Sequence, residues 1–505
     1  MDIKIIIDDK NIKTLTYDSP VLLSRVIRDS GCGFSFPCSG KGVCGKCRVR
    51  VTGCVSEADE REKKLTGENS AFRLACLTKA TGDCELFLPD KNITALTDGL
   101  CSRYSHAPFG EGVGAAVDIG TTTVALYLYE LENEKLLSVH SFANPQGIYG
   151  ADVISRIEAS LGEEKEKLRA LISKGLEEGI AELCDKANIN KEECKTAVVT
   201  GNAAMLSILL GEDVTGLSAS PFTLADYFGK TVNINGMRTY LPRAISPFVG
   251  SDITCALISG SDIMKNEKLS LLVDIGTNGE MAIKKGEEII CCSCAAGPAF
   301  EGTGIRMGAP AREGAINRVW QERGEIKYSV IGDKTADGIC GSALIDSLAL
   351  FLSLGMIDET GLIKNPTEFE GQPAIQIADS GVYITQKDIR SAQLAKAAIR
   401  AGIDSLLNSC GAASEDLGRL ILAGGFGSFI SPENAEIIGL IPPGTAKRTV
   451  AVGNAAGMGA SAILLSRQAL EKSEITAKNA ASLELATSDF FMKSYIDNMY
   501  FTKKD

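Results

Sequence analysis

Short runs rich in isoleucine, threonine and leucine between polar residues, at 2–8, DIKIIID, and at 12–17, read as two strands. The stretch DSPVLLSRVIRDSG then changes to a helical period, with Asp18 or Ser19 as N-cap, Pro20 as first helical residue and Gly31 as stop. Strands are expected at 47–55 and 83–88, with ENSAFRLACL between them. From residue 113 the pattern changes. GVGAAVDIGTTTVALYLYE reads as a strand, a Gly-Thr turn and a second strand, and SLLVDIGTNGEMAIKKG repeats it from residue 270, about 156 residues later. Helical patterns lie between, such as GADVISRIEASLGEEKEKLRALISKGLEEGIAELCDKA, whose Glu/Lys-rich face reads as a solvated surface with i,i+4 pairs. The last segment, DFFMKSYIDNMYF, is amphipathic and aromatic and is expected to pack back onto the protein.

These patterns divide the chain into a small unit at 1–95, a polar, Gly-containing linker at 96–112, two lobes at 113–268 and 269–465 that share the repeat, and a C-terminal extension at 466–505. The composition, 45% hydrophobic and 23% charged over 505 residues, reads as soluble and globular, and the expected fold class is α/β and α+β. A net charge of -12 disfavours nucleic acid or an anionic membrane as partner, since both would be repelled. Neither a signal peptide nor a run of eighteen apolar residues is found, so a cytoplasmic location is expected, with no membrane partner. Sixteen cysteines in a long chain without a secretion signal point to metal binding and buried thiols rather than disulfides. With only His106 and His140 present, the chemistry falls to carboxylates, thiolates, hydroxyls and backbone.

The run FPCSGKGVCGKCRVRV places Cys38, Cys44 and Cys47 in a C-x5-C-x2-C array, and Cys76 in RLACLT is the next well-placed thiol. Plant-type [2Fe–2S] sites use a closely related C-x4-C-x2-C followed by a distant cysteine. Gly40, Gly42 and Gly45 allow positive φ and let backbone N–H groups face thiolates and sulfides. Zinc is the competing reading, although a zinc ribbon usually has a second close pair, and Cys54 or Cys84 is an alternative fourth ligand. The loop resembles the [2Fe–2S] ferredoxin family, its longer first spacing being similar to the adrenodoxin-like branch, and FRLACLT looks like that family's fourth-ligand segment. The resemblance implies a β-grasp ferredoxin-like fold. Cys291, Cys292 and Cys294 in IICCSC read as small buried hydrophobes, because neighbours on a strand face opposite ways. Cys32, Cys54, Cys84, Cys101, Cys184, Cys194, Cys255, Cys340 and Cys410 are read as buried in the same way.

VDIGTTTVAL and VDIGTNGEMA each set an aspartate, Asp118 or Asp274, at the end of an apolar strand beside a Gly-Thr turn. In such a turn backbone N–H groups and hydroxyls can hold phosphate oxygens while the aspartate reaches Mg²⁺ through water. Either copy alone could be a plain tight turn. Together they resemble the two phosphate loops of the actin-like ATPase superfamily, which implies a duplicated, ribonuclease H-like, two-lobed domain that binds ATP and Mg²⁺. The resemblance assigns Asp118 and Asp274 to catalysis, and Gly120, Thr121, Thr122, Thr123, Gly276, Thr277, Asn278 and Gly279 to phosphate binding. It further implies that Gly424 and Gly425 of RLILAGGFGSFI pass close to the ribose and α-phosphate. By the same likeness Lys396 and Arg400 of DIRSAQLAKAAIRAGI would flank adenine, and Asn202 of TGNAAML would orient the attacking water. Glu301 in FEGTG either lines the cleft or makes a turn. No G-x4-G-K-[ST] occurs.

As a set, NPQGIYGADVISRI, PFVGSDITCALI, CAAGPAFEGTGIRMGAPAREGAI, DGICGSALIDSLA, PENAEIIGLIP and VGNAAGMGA resemble the reductive activators of corrinoid-dependent methyltransferases. The resemblance covers nearly the whole chain. It implies that an electron passes from a [2Fe–2S] cluster to inactive Co(II) in a corrinoid protein, restoring Co(I), while the actin-like domain binds ATP. It also implies an upstream low-potential electron donor, and it leaves open a homodimer. The linker is shorter than in the longer members, which leaves cluster positioning and the identity of the client open. Competing readings are an ATP-driven electron donor to a non-corrinoid client such as a radical-forming dehydratase, a chaperone-like ATP-sensing module with a structural cluster, and a small-molecule kinase.

Overall fold

Ile3 and Ile5 are fully buried while their neighbours are not, and this alternation seats the first strand with one face on a core. The computed structural model describes residues 1–6, 12–30, 34, 36, 40, 42, 45, 47–66, 72–88, 101–265, 267–425 and 429–501. The first unit runs β1 (Asp2–Ile6), β2 (Ile12–Thr16), β3 (Val21–Leu22), α1 (Leu23–Ser30), β4 (Arg48–Val55), α2 (Glu60–Thr66), β5 (Arg73–Leu74) and β6 (Lys79–Phe87). β1 pairs parallel with β6 and antiparallel with β2, and β4 joins the other side of β6, so α1 packs on a mixed sheet. Two expectations need correcting. The helix starts at Leu23 rather than Pro20, because Val21 and Leu22 pair with Ala80 and Lys79. For the same reason β6 begins at Lys79 and not at residue 83, since β3 and Val55 both pair near its start.

The next unit comprises β7 (Val113–Ile119), β8 (Thr123–Glu130), β9 (Lys135–Ala143), α3 (Val153–Leu161), α4 (Lys165–Ala187), β10 (Cys194–Gly201), α5 (Ala203–Leu210), β11 (Lys230–Ile234), β12 (Met237–Leu241), α6 (Ser251–Ser259) and α7 (Ser261–Met264). Its sheet has the order β11-β12-β10-β7-β8-β9. Then follow β13 (Leu269–Ile275), β14 (Gly279–Lys285), β15 (Glu288–Cys294), β16 (Ala315–Glu322), β17 (Glu325–Val330), β18 (Gly338–Ile339), α8 (Gly341–Ser353), β19 (Thr367–Phe369), β20 (Gln372–Gln376), β21 (Tyr383–Thr385) and α9 (Gln386–Ser409). The chain ends with β22 (Arg419–Ala423), α10 (Pro432–Ile437), β23 (Thr449–Ala451), α11 (Ala455–Leu465), α12 (Arg467–Asn479), β24 (Ala481–Ser482) and α13 (Asp489–Asp497). Here the sheet order is β23-β22-β13-β14-β15-β24.

The sequence repeat is therefore a repeat of topology. β7-β8-β9 and β13-β14-β15 are antiparallel meanders, and each receives a parallel strand, β10 beside β7 and β22 beside β13. α6 and α11 lie between the two sheets, α6 sending Cys255 and Ile258 to one core and Ile253 and Ala256 to the other. They pack backbone to backbone: a Cβ on Gly459 would lie 1.9 Å from the carbonyl oxygen of Cys255.

Residues 101–112 do not hang free. Ser102 Oγ donates to Ser259 O at 2.7 Å, Tyr104 OH donates to Ile258 O at 2.7 Å, and Ala107 bridges to Ser466. At the other end α13 packs on α9, and Phe501 is buried. Cys291 and Cys292 enter different cores on opposite faces of β15, as strand geometry requires. Cys54 and Cys101 are corrections to the buried-thiol reading. Cys54 is exposed at a bulge where β4 slips register against β6, and Cys101 is exposed as well. Cys410 is half-buried at the end of α9, and Cys32 lies outside the described residues. Among the described residues no helix is long and apolar enough to cross a membrane.

Candidate functional site

Each Asp-Ile-Gly-Thr segment ends a fully hydrogen-bonded strand, so its aspartate is held at the sheet's carboxyl edge and the following glycine closes a tight turn. Gly120 N–H donates to Thr123 O at 3.0 Å, and Gly276 N–H donates to Asn278 O at 3.0 Å. The two turns meet. Thr122 Oγ1 lies 3.2 Å from Thr277 Oγ1, and both hydroxyls donate to one oxygen of Glu301, at 2.6 and 2.9 Å. Glu301, which the sequence left between two roles, thus lines the cleft and joins the turns.

The cavity at this junction holds about 590 Å³. Asp118, Asp274, the turn residues Gly120–Thr123 and Gly276–Asn278, Asn202, Gly424 and Gly425 all face it. Gly424 has φ +109°, and a Cβ there would lie 2.4 Å from Ile275 O, so a glycine is needed for β22 to pass this close to the second turn. Asn202 caps α5, accepting from Met205 N–H at 3.0 Å and donating to Thr121 Oγ1 at 3.2 Å. Lys396 and Arg400 are not brought to the cavity. Lys396 is buried, donating to Tyr500 O at 2.5 Å with its ammonium 5.5 Å from the Phe501 ring, and Arg400 pairs with Asp404 at 2.8 Å. Both therefore fasten the C-terminal segment and α9.

Asp252, Glu280, Asn317 and Asn454 also line the cavity and were not singled out from the sequence. Asn454 was the most accessible of these, since Gly-Asn-Ala-Ala occurs at both 201–204 and 453–456. It caps α11 through Gly457 N–H at 2.8 Å and hydrogen-bonds Asp118. Asp252 stands at the start of α6 and shares a hydrogen bond with Glu280 of β14. Burial, reinforced by neighbouring carboxylates, pushes Asp118 up to about 7 and Asp274 up to about 8. Burial likewise pushes Asp252 up to about 6 and Glu280 well above the usual range. A cavity that strains so many carboxylates toward neutrality, next to turns rich in N–H and hydroxyl donors, fits a polyanion carried with a divalent cation. Among the described residues no group of three or more Asp, Glu, His or Cys side chains is placed to hold a metal ion.

In the first unit Cys47 Sγ and Cys76 Sγ lie 3.2 Å apart, both buried among Phe34, Phe36, Leu74 and Ala75. Cys38 and Cys44 lie outside the described residues. The hydrogen bond from Cys47, together with the N–H groups of Cys76 itself and Gly42, lowers the Cys76 thiol to about 7, against the opposing effect of burial. Gly42 has φ +65°, and a Cβ there would meet Leu77 at 2.7 Å. A thiol pair at this spacing, thiolate-prone and facing a backbone N–H, fits an iron–sulfur cluster. Cys84 lies on β6 opposite Gly53, next to exposed Cys54 and not beside Cys47.

Residues 6–81 match the family model of a 2Fe-2S iron-sulfur cluster binding domain, 113–265 the RACo middle region, and 268–505 the C-terminal domain of RACo, the ASKHA domain. Over 421 residues the chain is 34% identical to the corrinoid activation enzyme RamQ of Eubacterium limosum, covering 77% of this chain and 70% of that protein. The chain belongs to the family of reductive activators of corrinoid-dependent methyltransferases. This activator is also 28% identical, over 428 residues and 76% of each chain, to the [Co(II) methylated amine-specific corrinoid protein] reductase of Methanosarcina barkeri. The solved structure of a reductive activator for corrinoid, iron-sulfur protein superposes on it with TM-score 0.73 and 27% identity, over 99% of this chain and 98% of that one. The activator thus joins a ferredoxin-like domain to an actin-like ATPase fold.

Proposed function

We propose that this activator returns a corrinoid protein from Co(II) to Co(I) in an ATP-dependent, one-electron reduction. What carries the reading is that one chain holds both a clasped nucleotide cleft, with Thr122 and Thr277 sharing Glu301, and a buried Cys47–Cys76 pair shaped for a cluster. The relatives, a corrinoid activation enzyme and a corrinoid protein reductase, point to a corrinoid client. A bound [2Fe–2S] cluster supplies a one-electron couple, near about -400 mV in plant-type sites. Cys38, Cys44, Cys47 and Cys76 would hold it, with the Gly42 N–H facing the Cys76 sulfur. In the cleft the backbone and hydroxyls of residues 120–123 and 276–278 would bind phosphate oxygens, with Asp118 and Asp274 placed to hold Mg²⁺ through water; Gly279, paired with Cys294 at the start of β14, is not among them. Gly424 and Gly425 let the ribose side of the nucleotide approach. Asn202, which lines the cavity beside Thr121, would orient the attacking water. The energetic reason for ATP is that a corrinoid Co(I) state too reducing for the cluster alone becomes accessible when nucleotide shifts the populations of the complex. An upstream low-potential electron donor would supply the electron.

The test mixes the reduced protein, Mg·ATP and Co(II) corrinoid proteins and follows the cobalt absorbance. Co(I) formed only with ATP is the expected result. ATP hydrolysis without any cobalt change would sink the assignment and favour a non-corrinoid client.

A further inference from the structure

Asn144 and Arg156 belong to the run NPQGIYGADVISRI, whose place in the chemistry is so far unassigned. Asn144 follows β9, and its side chain accepts from Gln146 N–H at 3.0 Å, capping the single turn Pro145–Ile148. Its other groups reach the first phosphate turn. Asn144 Nδ2 donates to Gly120 O at 2.8 Å, and Asn144 N–H donates to Thr122 O at 2.8 Å. Arg156 of α3, about 1% exposed, donates from Nη2 to Thr121 O at 2.5 Å and from Nε to Gly150 O at 3.0 Å. Three consecutive carbonyls of the turn are therefore held by these two residues.

The far side of the same segment is the seat of the ferredoxin-like domain. Phe36 N–H donates to Gly147 O at 3.2 Å, and Ile148, only 2% exposed, completes that domain's core beside Phe34 and Phe36. The Arg28 guanidinium lies 5.3 Å from the Phe36 ring centre and 5.6 Å from that of Tyr149. Phe36 stands two residues before Cys38.

We propose that Asn144 and Arg156 are positioning residues that transmit nucleotide occupancy from the first phosphate turn to the seat Gln146–Tyr149, tightening its hold on Phe36. The physical basis is peptide polarisation. The carbonyls of Gly120, Thr121 and Thr122 share peptide units with the N–H groups of Thr121, Thr122 and Thr123, so a phosphate bound to those N–H groups strengthens the bonds on the carbonyl side. The inference rests on the reading of the cleft as a nucleotide site.

The test is amide hydrogen exchange on the full-length, cluster-loaded protein, with and without Mg²⁺ and the non-hydrolysable analogue AMPPNP. In the wild type, nucleotide should slow exchange at Thr121–Thr123 and slow the Phe36 amide roughly fivefold or more, the range of ordinary site-to-site coupling. In Arg156→Lys and in Ile148→Ala the turn should remain protected while the response at Phe36 is lost. Ile148→Ala lies away from the cleft and decides the question if the buried Arg156→Lys does not fold. A Phe36 amide that ignores nucleotide while the turn is protected, or one that still responds in Ile148→Ala, overturns the coupling and leaves the cleft intact. No protection at the turn itself overturns the cleft reading and the coupling together.

Discussion

Glu301 touches both phosphate turns, and it does so through a carboxylate enclosed in the cleft. Replacing it with alanine removes two charge-assisted hydrogen bonds, worth roughly 1.5–3 kcal/mol each, so Glu301→Ala should lower ATP turnover at least tenfold in a steady-state phosphate-release assay. Asp274 shows the opposite balance. Because burial raises it from 3.8 to about 8, the native state binds its proton more tightly than the unfolded chain does. Stability of the nucleotide-free protein should therefore fall as pH rises from about 4 to 8. Asp274→Asn should raise the melting temperature at pH 8, the gain shrinking toward pH 4, while hydrolysis is lost; a lower melting temperature at pH 8 would contradict this. Residues of this kind were unevenly legible. Asp118 and Asp274 announce themselves by a repeated string, whereas Asp252 and Glu280 come from elements far apart in sequence that meet only once α6 packs against β14. Lys396 and Arg400 looked basic and well placed on a helix, but α9 turns them toward α13 and the C-terminal segment.

At the scale of elements, α2 secures the segment that carries Cys76. Glu62, with its side chain 2% exposed, accepts two hydrogen bonds from Arg73 at 3.0 Å, one from Leu74 N–H at 2.7 Å and one from Thr78 Oγ1 at 3.0 Å. Breaking a buried pair by removing one partner costs about 3–5 kcal/mol. Glu62→Ala should therefore lose iron on mild heating, read as bleaching of the visible absorbance well below the wild-type temperature, with nucleotide binding by the lobes retained. α2 and its role were not foreseen, because a helix of two turns leaves too short a period to detect. The strands β1, β2 and β4 were legible from their apolar, β-branched composition. The helix start at Leu23 was not, because a strand of two residues is decided by pairing with β6 and leaves no local signature.

Across the whole molecule, the duplication was readable because each phosphate turn must repeat the same aspartate, glycine and threonine, while the strands around them need only be apolar. Nucleotide that binds the folded cleft and not the unfolded chain adds about 2.7 kcal/mol at a hundredfold excess over its Kd. Mg·ADP should thus raise the melting temperature of the wild type, and Gly424→Val, whose branched side chain meets Ile275 O, should abolish that rise. The lobes also share α6 and α11, whose backbones touch where Gly459 faces Cys255. One methyl group there is a wedge. Gly459→Ala would prop the two lobes apart from a point outside the nucleotide cavity, giving a protein whose turns are chemically intact but cannot be clasped. Such a jammed form could serve as a decoy that engages a client without discharging it, and so hold the encounter still long enough to be isolated.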